Sequence, residues 1–259
     1  MAREISEDLN MKLNDDERID QLVSAGLAII QSPTAFCYSL DALLLAHFAN
    51  VSRRDDKVIV DFCAGNGAVT MLLARQTASP VIGVEIQPRL VDMARRSVQL
   101  NHMQDRVRFI EADITQLSQE IPYDSVDYLT CNPPYFLGDA TGKVNDNEYL
   151  AIARHEIHLP LTHLVQQASR FLKMKGKFYL VHRPDRLLEI IDELRRYHLV
   201  PKRVQFVHPK MNKPANVVLI EAIKNGSEIG LKWLPPLFVY DDEGNYLPDV
   251  KAIVHGKRK

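Results

Sequence analysis

The sequence predicts an α/β fold in which a doubly wound, mostly parallel sheet of seven strands is covered by helices on both faces. From residue 58 onward, short runs rich in valine, isoleucine and phenylalanine alternate with helical stretches, which is the pattern of repeated strand and helix units. The chain has 259 residues and is 46% hydrophobic, enough for one large α/β domain or two small ones, and this excludes general disorder. The last two strand-like runs, 203–208 and 216–223, are joined by a short link without a helix. We therefore expect the last strand to pair antiparallel at the edge of the sheet.

The individual elements follow in a regular order. Residues 17–31 are apolar enough to pack on the body, and residues 39–49 predict a helix with Ser39 as N-cap and Asp41 in the first turn, where the helix dipole favours an anion. We expect them to form a short N-terminal helical extension. The predicted strands are 58–63, 81–86, 107–114, 125–131, 177–182, 203–208 and 216–223. The predicted helices after residue 58 are 68–75, 88–101, 161–174 and 186–197.

The tail after residue 226 predicts two short extended pieces around the turn D-D-E-G-N. On this basis the chain divides into an N-terminal extension (1–50), a main domain (51–225) and a basic C-terminal extended segment (226–259). We expect both flanking parts to pack on the main domain and to complete it.

The formal net charge of -1 conceals a polarised chain. Residues 1–150 hold about 13 Lys and Arg against 22 Asp and Glu, whereas residues 151–259 hold about 19 against 11. A basic half is typical of proteins that bind phosphate-bearing partners, although a solvated charged surface gives the same count. The charge distribution therefore makes a nucleic acid a candidate partner.

Composition also bears on location and metal chemistry. The N-terminus lacks the apolar region of a secretory signal, and no run approaches the roughly 18 apolar residues of a membrane span. We expect a cytoplasmic protein without a membrane partner. The three cysteines, Cys37, Cys63 and Cys131, have no paired spacing, so we predict neither a disulfide framework nor a metal site. The sequence does not indicate an oligomeric state.

A glycine motif, D-F-C-A-G-N-G, lies where the first predicted strand ends and a helix begins. Ligands of open α/β sheets bind at the edge where the carboxyl ends of the strands meet. Gly65 and Gly67 lie at this edge and allow the backbone to approach a ligand closely. Glu85 ends the second strand, where a carboxylate can take both hydroxyls of a ribose, although an ordinary surface acid would also fit. The glycine fingerprint of nicotinamide-binding proteins needs a small residue three positions after Gly67. Thr70 occupies that position, so the motif does not match a nicotinamide site. Asp61, at the end of its strand, suits a cofactor that carries an ammonium group.

These features together predict S-adenosyl-L-methionine as the cofactor. Asp113, after the third strand, can accept a hydrogen bond from an adenine amino group, or it can simply cap the strand end. Ile86 directly follows Glu85, and Ile114 directly follows Asp113, so both are candidate cofactor contacts. Asn132 belongs to the same candidate set because its strand ends at the same edge.

The segment C-N-P-P-Y-F begins where the fourth strand stops. Proline cannot donate to a sheet ladder, so Pro133 and Pro134 end the strand and stiffen Asn132. The nitrogen of an exocyclic amine or amide is a poor nucleophile, because its lone pair is delocalised. If the Asn132 side-chain oxygen and the Pro133 carbonyl accept its two hydrogens, the lone pair is released for attack. Tyr135 offers a flat face for an extruded adenine; a packed aromatic in a stiff turn is the alternative.

N-P-P-Y resembles the signature of transferases that methylate the exocyclic nitrogen of adenine or a glutamine amide. With F-C-Y-S-L-D-A-L-L-L-A, A-R-H-E and the ending P-P-L-F-V-Y…G-N-Y-L-P-D-V, the chain resembles the bacterial tRNA adenine-N6 methyltransferase family from about residue 17 onward. The resemblance implies a Rossmann-like class I methyltransferase domain that methylates the adenine beside the anticodon of a valine tRNA. It implies catalytic roles for Asn132, Pro133, Pro134 and Tyr135. It also implies that Tyr38 and Asp41 close the cofactor pocket; a packed aromatic and helix-dipole compensation are their alternatives.

Other functions remain open at this point. A release-factor glutamine methyltransferase shares N-P-P-Y but carries a longer N-terminal domain, and a DNA adenine methyltransferase would usually carry a recognition domain. A non-catalytic RNA-binding module is disfavoured because the motifs are intact.

The basic half predicts an RNA surface on loops that open at the active edge. His155 and His208 could instead be structural histidines. The candidate RNA-binding residues are Phe136, Arg154, His155, Lys210 and Lys213.

Overall fold

The computed structural model describes residues 12–35, 37–134 and 159–256. Its body is a mostly parallel sheet covered by helices on both faces, which confirms the predicted α/β class. The strands are β1 Arg18–Leu22, β2 Leu27–Gln31, β3 Ile59–Phe62, β4 Val81–Glu85, β5 Val107–Glu111, β6 Val126–Cys131, β7 Leu172–His182, β8 Leu199–His208, β9 Val217–Lys224, β10 Lys232–Trp233 and β11 Leu237–Phe238. The helices are α1 Leu40–Phe48, α2 Ala68–Ala74, α3 Pro88–Leu100, α4 Leu161–Phe171, α5 Leu187–Arg196 and α6 Pro248–His255.

The main sheet runs in the order β10-β8-β9-β7-β6-β3-β4-β5, with β11 also pairing with β8. Strands β3 to β7 run parallel to one another, so their carboxyl ends share one edge of the sheet. Seven of the strands, β3 to β9, are the predicted ones. The two-residue strands β10 and β11 lie in the first of the two extended pieces predicted after residue 226, but their pairing with the main sheet was not predicted, because so short a run carries no periodicity.

Strand β9 is antiparallel to both β7 and β8, as predicted, but it lies between them and not at the sheet edge. Its first six residues, V-V-L-I-E-A, are all buried. A buried run in which five of six residues are apolar is typical of an interior strand, because both of its faces are covered. The expected edge position was therefore wrong.

The N-terminal part is only partly helical, which corrects the predicted helical extension. Helix α1 forms where expected, but residues 18–31 form the antiparallel hairpin β1–β2. A single 3₁₀ turn, Val23–Ala25, connects the strands and ends at Gly26, whose φ of 65° lies in the left-handed region. Every residue of β2 is buried, so its uniform apolar run had no period that could distinguish strand from helix.

The core is formed by two large apolar clusters, one on each face of the sheet. One cluster joins the sheet to α1, α2 and α3, and the other joins it to α4 and α5. The C-terminal part contributes Val239 and Val250 to the first cluster; Val250 lies in α6, a helix that we had not predicted in this extended segment. No helix in the described ranges has the length and apolar character needed to cross a membrane.

Candidate active site

The glycine motif forms a tight loop between β3 and α2. Cys63, Gly65 and Gly67 adopt left-handed φ values of 54°, 55° and 90°. The space at Gly67 is also restricted, because a Cβ there would lie 2.6 Å from Cζ of Phe109. Cys63 accepts a conformation that non-glycine residues adopt rarely, which marks the loop as a constrained segment. The backbone is therefore turned back sharply at the carboxyl edge of the sheet.

Glu85 locks this loop to the end of β4. Its Oε2 accepts the Gly65 N–H at 2.9 Å, and its Oε1 accepts the Gln87 N–H at 2.9 Å. The side chain is buried, with the residue 6% exposed, and burial raises the pKa of its carboxyl. The alternative of an ordinary surface acid is therefore wrong. The structure presents Glu85 as a held carboxylate directly beside the glycine loop.

Asp61 is buried more deeply than its predicted role required. Oδ2 accepts the Thr70 hydroxyl and Oδ1 accepts the Thr130 hydroxyl, both at 2.7 Å. Burial raises the pKa of Asp61 to about 7, and the two hydroxyls oppose that rise. Asp61 thus ties together β3, α2 and β6. Neither threonine was recognised as part of the site, since a threonine in an apolar run gives no signal of its partner.

The third acid has a local role. Asp113 accepts both the backbone N–H and the hydroxyl of Thr115 through Oδ1, each at 2.8 Å, and so caps the 3₁₀ helix Ile114–Gln119. The alternative of a cap is therefore observed, although Asp113 caps this helix and not the strand end; a cofactor contact stays a prediction. The two predicted apolar contacts differ, because Ile86 is 45% exposed whereas Ile114 is 6% exposed. Ile86 places an exposed apolar side chain immediately after the buried Glu85.

The proline segment lies at the same edge. Strand β6 ends at Cys131, which is in register with Phe62 of β3, so Asn132 and Cys63 follow side by side. Asn132 is partly exposed and Pro133 is buried. Burial and the neighbouring Cys63 thiol raise the pKa of Cys131. Tyr135, the last predicted catalytic residue, lies outside the described residues.

The N-terminal hairpin packs against the glycine loop. Asn66 donates from Nδ2 to the Ile30 carbonyl at 3.0 Å. The Tyr38 N–H donates to Oε1 of Gln31 at 2.8 Å, and its hydroxyl donates to the Gln21 carbonyl at 3.2 Å. Tyr38 also packs partly on the core cluster.

Asp41 lies in the first turn of α1, as the dipole interpretation requires. The geometry thus agrees with the structural alternatives for Tyr38 and Asp41. Their part in a cofactor pocket stays a prediction.

His182 was not identified from the sequence. It ends β7 next to the proline segment and is 2% exposed. Its Nδ1 accepts the Arg183 N–H at 2.8 Å, so the ring proton lies on Nε2. Burial lowers the pKa of His182 to about 4, and the ring is therefore neutral near neutral pH.

The predicted RNA residues are only partly described. Phe136, Arg154 and His155 lie outside the described residues. Lys210 and Lys213 lie in the link between β8 and β9, near the carboxyl end of β8. His208 binds the Lys213 carbonyl through Nδ1 at 2.8 Å, which supports the structural interpretation of this histidine.

Solved structures share the fold. A predicted O-methyltransferase from Agrobacterium tumefaciens has a TM-score of 0.66 at 24% identity, covering 83% of this chain and 96% of that one. Geranyl diphosphate C-methyltransferase from Streptomyces coelicolor, crystallised with S-adenosyl-L-homocysteine, has a TM-score of 0.53 at 16% identity, covering 71% of this chain and 74% of that one. At these identities the likeness establishes the fold alone.

Three curated relatives share the name tRNA1(Val) (adenine(37)-N6)-methyltransferase. That of Shewanella amazonensis is 30% identical over 55% of this chain and 59% of its own length. That of Porphyromonas gingivalis is 29% identical over 62% and 64%, and that of a further Shewanella strain is 26% identical over 80% and 86%. The first two matches thus span less than two thirds of the relatives' length. The family model described as methyltransferase small domain matches residues 27–207. Because this match covers most of the chain, the chain belongs to the methyltransferase small domain family.

Proposed function

We propose that this protein transfers a methyl group from S-adenosyl-L-methionine to the N6 amine of an adenine in tRNA, at the position beside the anticodon. One observation carries the proposal: the Asn132–Pro133–Pro134 segment begins where β6 ends, at the same edge as the glycine loop and the buried Glu85. The names of the curated relatives support the substrate. A tRNA substrate would place the reaction in the cytoplasm.

The residues at this edge fit S-adenosyl-L-methionine. Glu85 is a carboxylate whose two oxygens are both held by backbone N–H groups, which suits a ribose diol, and the exposed Ile86 next to it suits the face of an adenine. Asp113 is placed one strand further along. When bound, the cofactor supplies an electrophilic methyl group on a sulfonium. We assign Glu85, Ile86, Asp113 and the loop from Asp61 to Gly67 to holding it.

Asn132 and Pro133 perform the substrate chemistry in this proposal. Their oxygens accept the two hydrogens of the adenine amine, so that nitrogen lone-pair density is withdrawn from the ring and becomes available. Because Pro133 is buried and cannot donate to a ladder, its carbonyl position is determined by the packing of the segment. No strong general base is needed, because the cationic nitrogen formed by the transfer is strongly acidic and releases one proton through the same acceptors to solvent.

We also propose that residues 1–50 and 226–259 complete the domain 51–225. Asn66 binds the hairpin, and helix α6 packs beside α1 and the 3₁₀ turn of the hairpin. Both flanking parts therefore share the core of the main domain.

The test is transfer of labelled methyl to bacterial tRNA, duplex DNA and a release factor, followed by nucleoside and amino-acid analysis. We expect N6-methyladenosine in tRNA. Label on a glutamine amide or on DNA would contradict the proposed tRNA substrate but support methyl transfer to an amine or amide nitrogen. No label on any acceptor would contradict both the substrate and the chemistry. Among the relatives described above, none is named for a protein substrate.

A further inference from the structure

A surface cleft of about 580 Å³ lies between the segments that follow β7 and β8. Three cations, Arg183, Lys210 and Lys213, line it together with one acid, Asp185, and with Asn216. Pro214 and Tyr240 add an apolar surface. The volume lies within the range of about 300 to 1,000 Å³ that is usual for small-molecule sites. Cationic and aromatic groups in one cleft match the two halves of a nucleotide.

The lining is held in place before any ligand binds. The Lys213 carbonyl is bound by His208 Nδ1 at 2.8 Å, and the Tyr240 N–H donates to the Pro209 carbonyl at 2.9 Å. The Tyr240 ring stacks on Tyr246 with centroids 5.2 Å apart. A site that is already ordered loses little conformational entropy on binding.

The charges of the cleft are only partly neutralised. Arg183 pairs with Asp185 at 3.3 Å, and Lys210 donates to the Asp242 carbonyl at 3.0 Å, which leaves its charge uncompensated. Lys213 is exposed, and within the described part of the chain it makes no ion pair. The cleft therefore carries a net positive charge suited to a phosphodiester.

The cleft lies close to the candidate active site. Arg183 follows β7, which is the direct neighbour of β6, and Asn216 precedes β9, the next strand in the sheet. Two strand spacings separate β9 from β6, which is about 10 Å. A single-stranded RNA segment with one base at Asn132 therefore reaches the cleft within a few nucleotides.

We propose that this cleft binds a nucleotide that neighbours the target adenine, with its phosphate on Lys213 and Arg183 and its base against Tyr240 and Pro214. The inference rests on the proposed function, because it assumes an RNA substrate. Unpaired bases in RNA loops are recognised by stacking on aromatic rings while cations hold the backbone. The cleft selects an unpaired loop over a duplex, since only an unpaired base can lie on the tyrosine.

The first test is equilibrium binding of the anticodon stem-loop of a valine tRNA over a series of salt concentrations. Lys213→Ala should weaken binding about tenfold and reduce the slope of log affinity against log salt by about 0.7, the value for one lost single-strand phosphate contact. Arg53→Ala is the matched control, because it removes one exposed charge at the amino edge of the sheet. Equal effects of the two variants would overturn the proposal.

The second test locates the base. The same stem-loop, with 5-iodouridine beside the target adenine, should cross-link on irradiation to Tyr240, as mapped by mass spectrometry. Cross-links confined to other segments would overturn the placement. N6-methyladenosine formation is scored in the same samples. If methylation occurs but neither the Lys213→Ala effect nor the Tyr240 cross-link is seen, the cleft is rejected and the proposed function stands. If both are seen without methylation, the cleft is supported and the proposed function is rejected.

Discussion

At the residue scale, three carboxylates that look equivalent in the sequence differ strongly in their surroundings. Asp61 and Glu85 are buried, whereas Asp113 caps a 3₁₀ helix at the surface edge. Asp61 has two hydroxyl donors and Glu85 has two backbone donors. Burial raises the pKa of both buried acids, because a charged carboxylate is costly to desolvate.

The raised pKa of Asp61 predicts a pH-dependent stability. With a folded pKa of about 7 and an ordinary value of 3.8, the folded protein binds more protons than the unfolded chain between these pH values. The contribution of Asp61 to the free energy of unfolding is therefore full below about pH 4 and is lost as pH rises through about 7, by up to about 4 kcal/mol. Asp61→Asn should remove this part of the slope, as measured by urea unfolding across that range.

Asp55→Asn is the matched control for this experiment, because Asp55 is an exposed acid. It should follow the wild-type pH profile. If Asp61→Asn keeps the wild-type slope as well, Asp61 does not titrate as its burial requires.

Asn132 is predicted to act mainly in the transition state. Asn132→Ala should lower the methyl-transfer rate by a factor of about 100 or more and change the affinity for S-adenosyl-L-methionine little, because the lost acceptor acts on the amine. Single-turnover transfer and calorimetric cofactor binding measure the two effects. Glu85→Gln provides the comparison, since it should weaken cofactor binding. A collapse of cofactor affinity in Asn132→Ala with an intact fold would contradict the assigned role.

At the element scale, the hairpin β1–β2 is attached to α3 and to the glycine loop. The Ile30 N–H donates to the Ser97 hydroxyl at 2.9 Å, and Ser97 in turn donates to the Met93 carbonyl at 2.7 Å. The Ile30 carbonyl accepts from Asn66. One residue of β2 therefore links a surface helix to the candidate cofactor loop.

This link predicts the effect of Ser97→Ala. The substitution leaves the buried Ile30 N–H without its acceptor, so the free energy of unfolding should fall by about 1 to 3 kcal/mol. Chemical denaturation measures the loss. Ser118→Ala, in the exposed part of the 3₁₀ helix, should change stability by less than about 0.5 kcal/mol. A loss for Ser97→Ala no larger than that would show that the hairpin is not held through this bond.

At the scale of the whole molecule, the C-terminal segment is part of the main core. Val250 of α6 is 0% exposed, and Val239 is 4% exposed in the same cluster as α1 and α2. Trp233, the only tryptophan of the sequence, is stacked on Phe206 of β8 with centroids 6.1 Å apart. The tail and the main sheet should therefore unfold together.

Cooperative unfolding gives a test with two probes. Tryptophan fluorescence reports the tail, and far-ultraviolet circular dichroism reports the whole chain, so we expect coincident denaturation curves. Val250→Ala should shift both curves together, with a loss of about 1 to 2 kcal/mol for the buried methyl groups. Leu188→Ala, on α5 at a site that is 79% exposed, is the control. A fluorescence transition that precedes the dichroism transition would show a separately folding tail.

Much of the molecule could be predicted from local patterns. The alternation of strands and helices identified the sheet, and the positions of Asp61, Glu85 and Asn132 at strand ends indicated the candidate site, because parallel strands bring their carboxyl ends to one edge. The hairpin at residues 18–31, the interior position of β9 and helix α6 were missed. Each depends on which surfaces the segment meets in the folded chain.

The sequence by itself determined the α/β class and the residue types that meet at the carboxyl edge, the candidate functional edge, since strand and helix periods and the restrictions of glycine and proline are local. Only the tertiary structure decided which acids are buried, that Thr70 and Thr130 hold Asp61, and that Arg183, Asn216 and Tyr240 line one cleft with Lys213. The physical reason is that burial and hydrogen-bond partnership arise between residues far apart in the chain. They exist only after packing has brought those residues together.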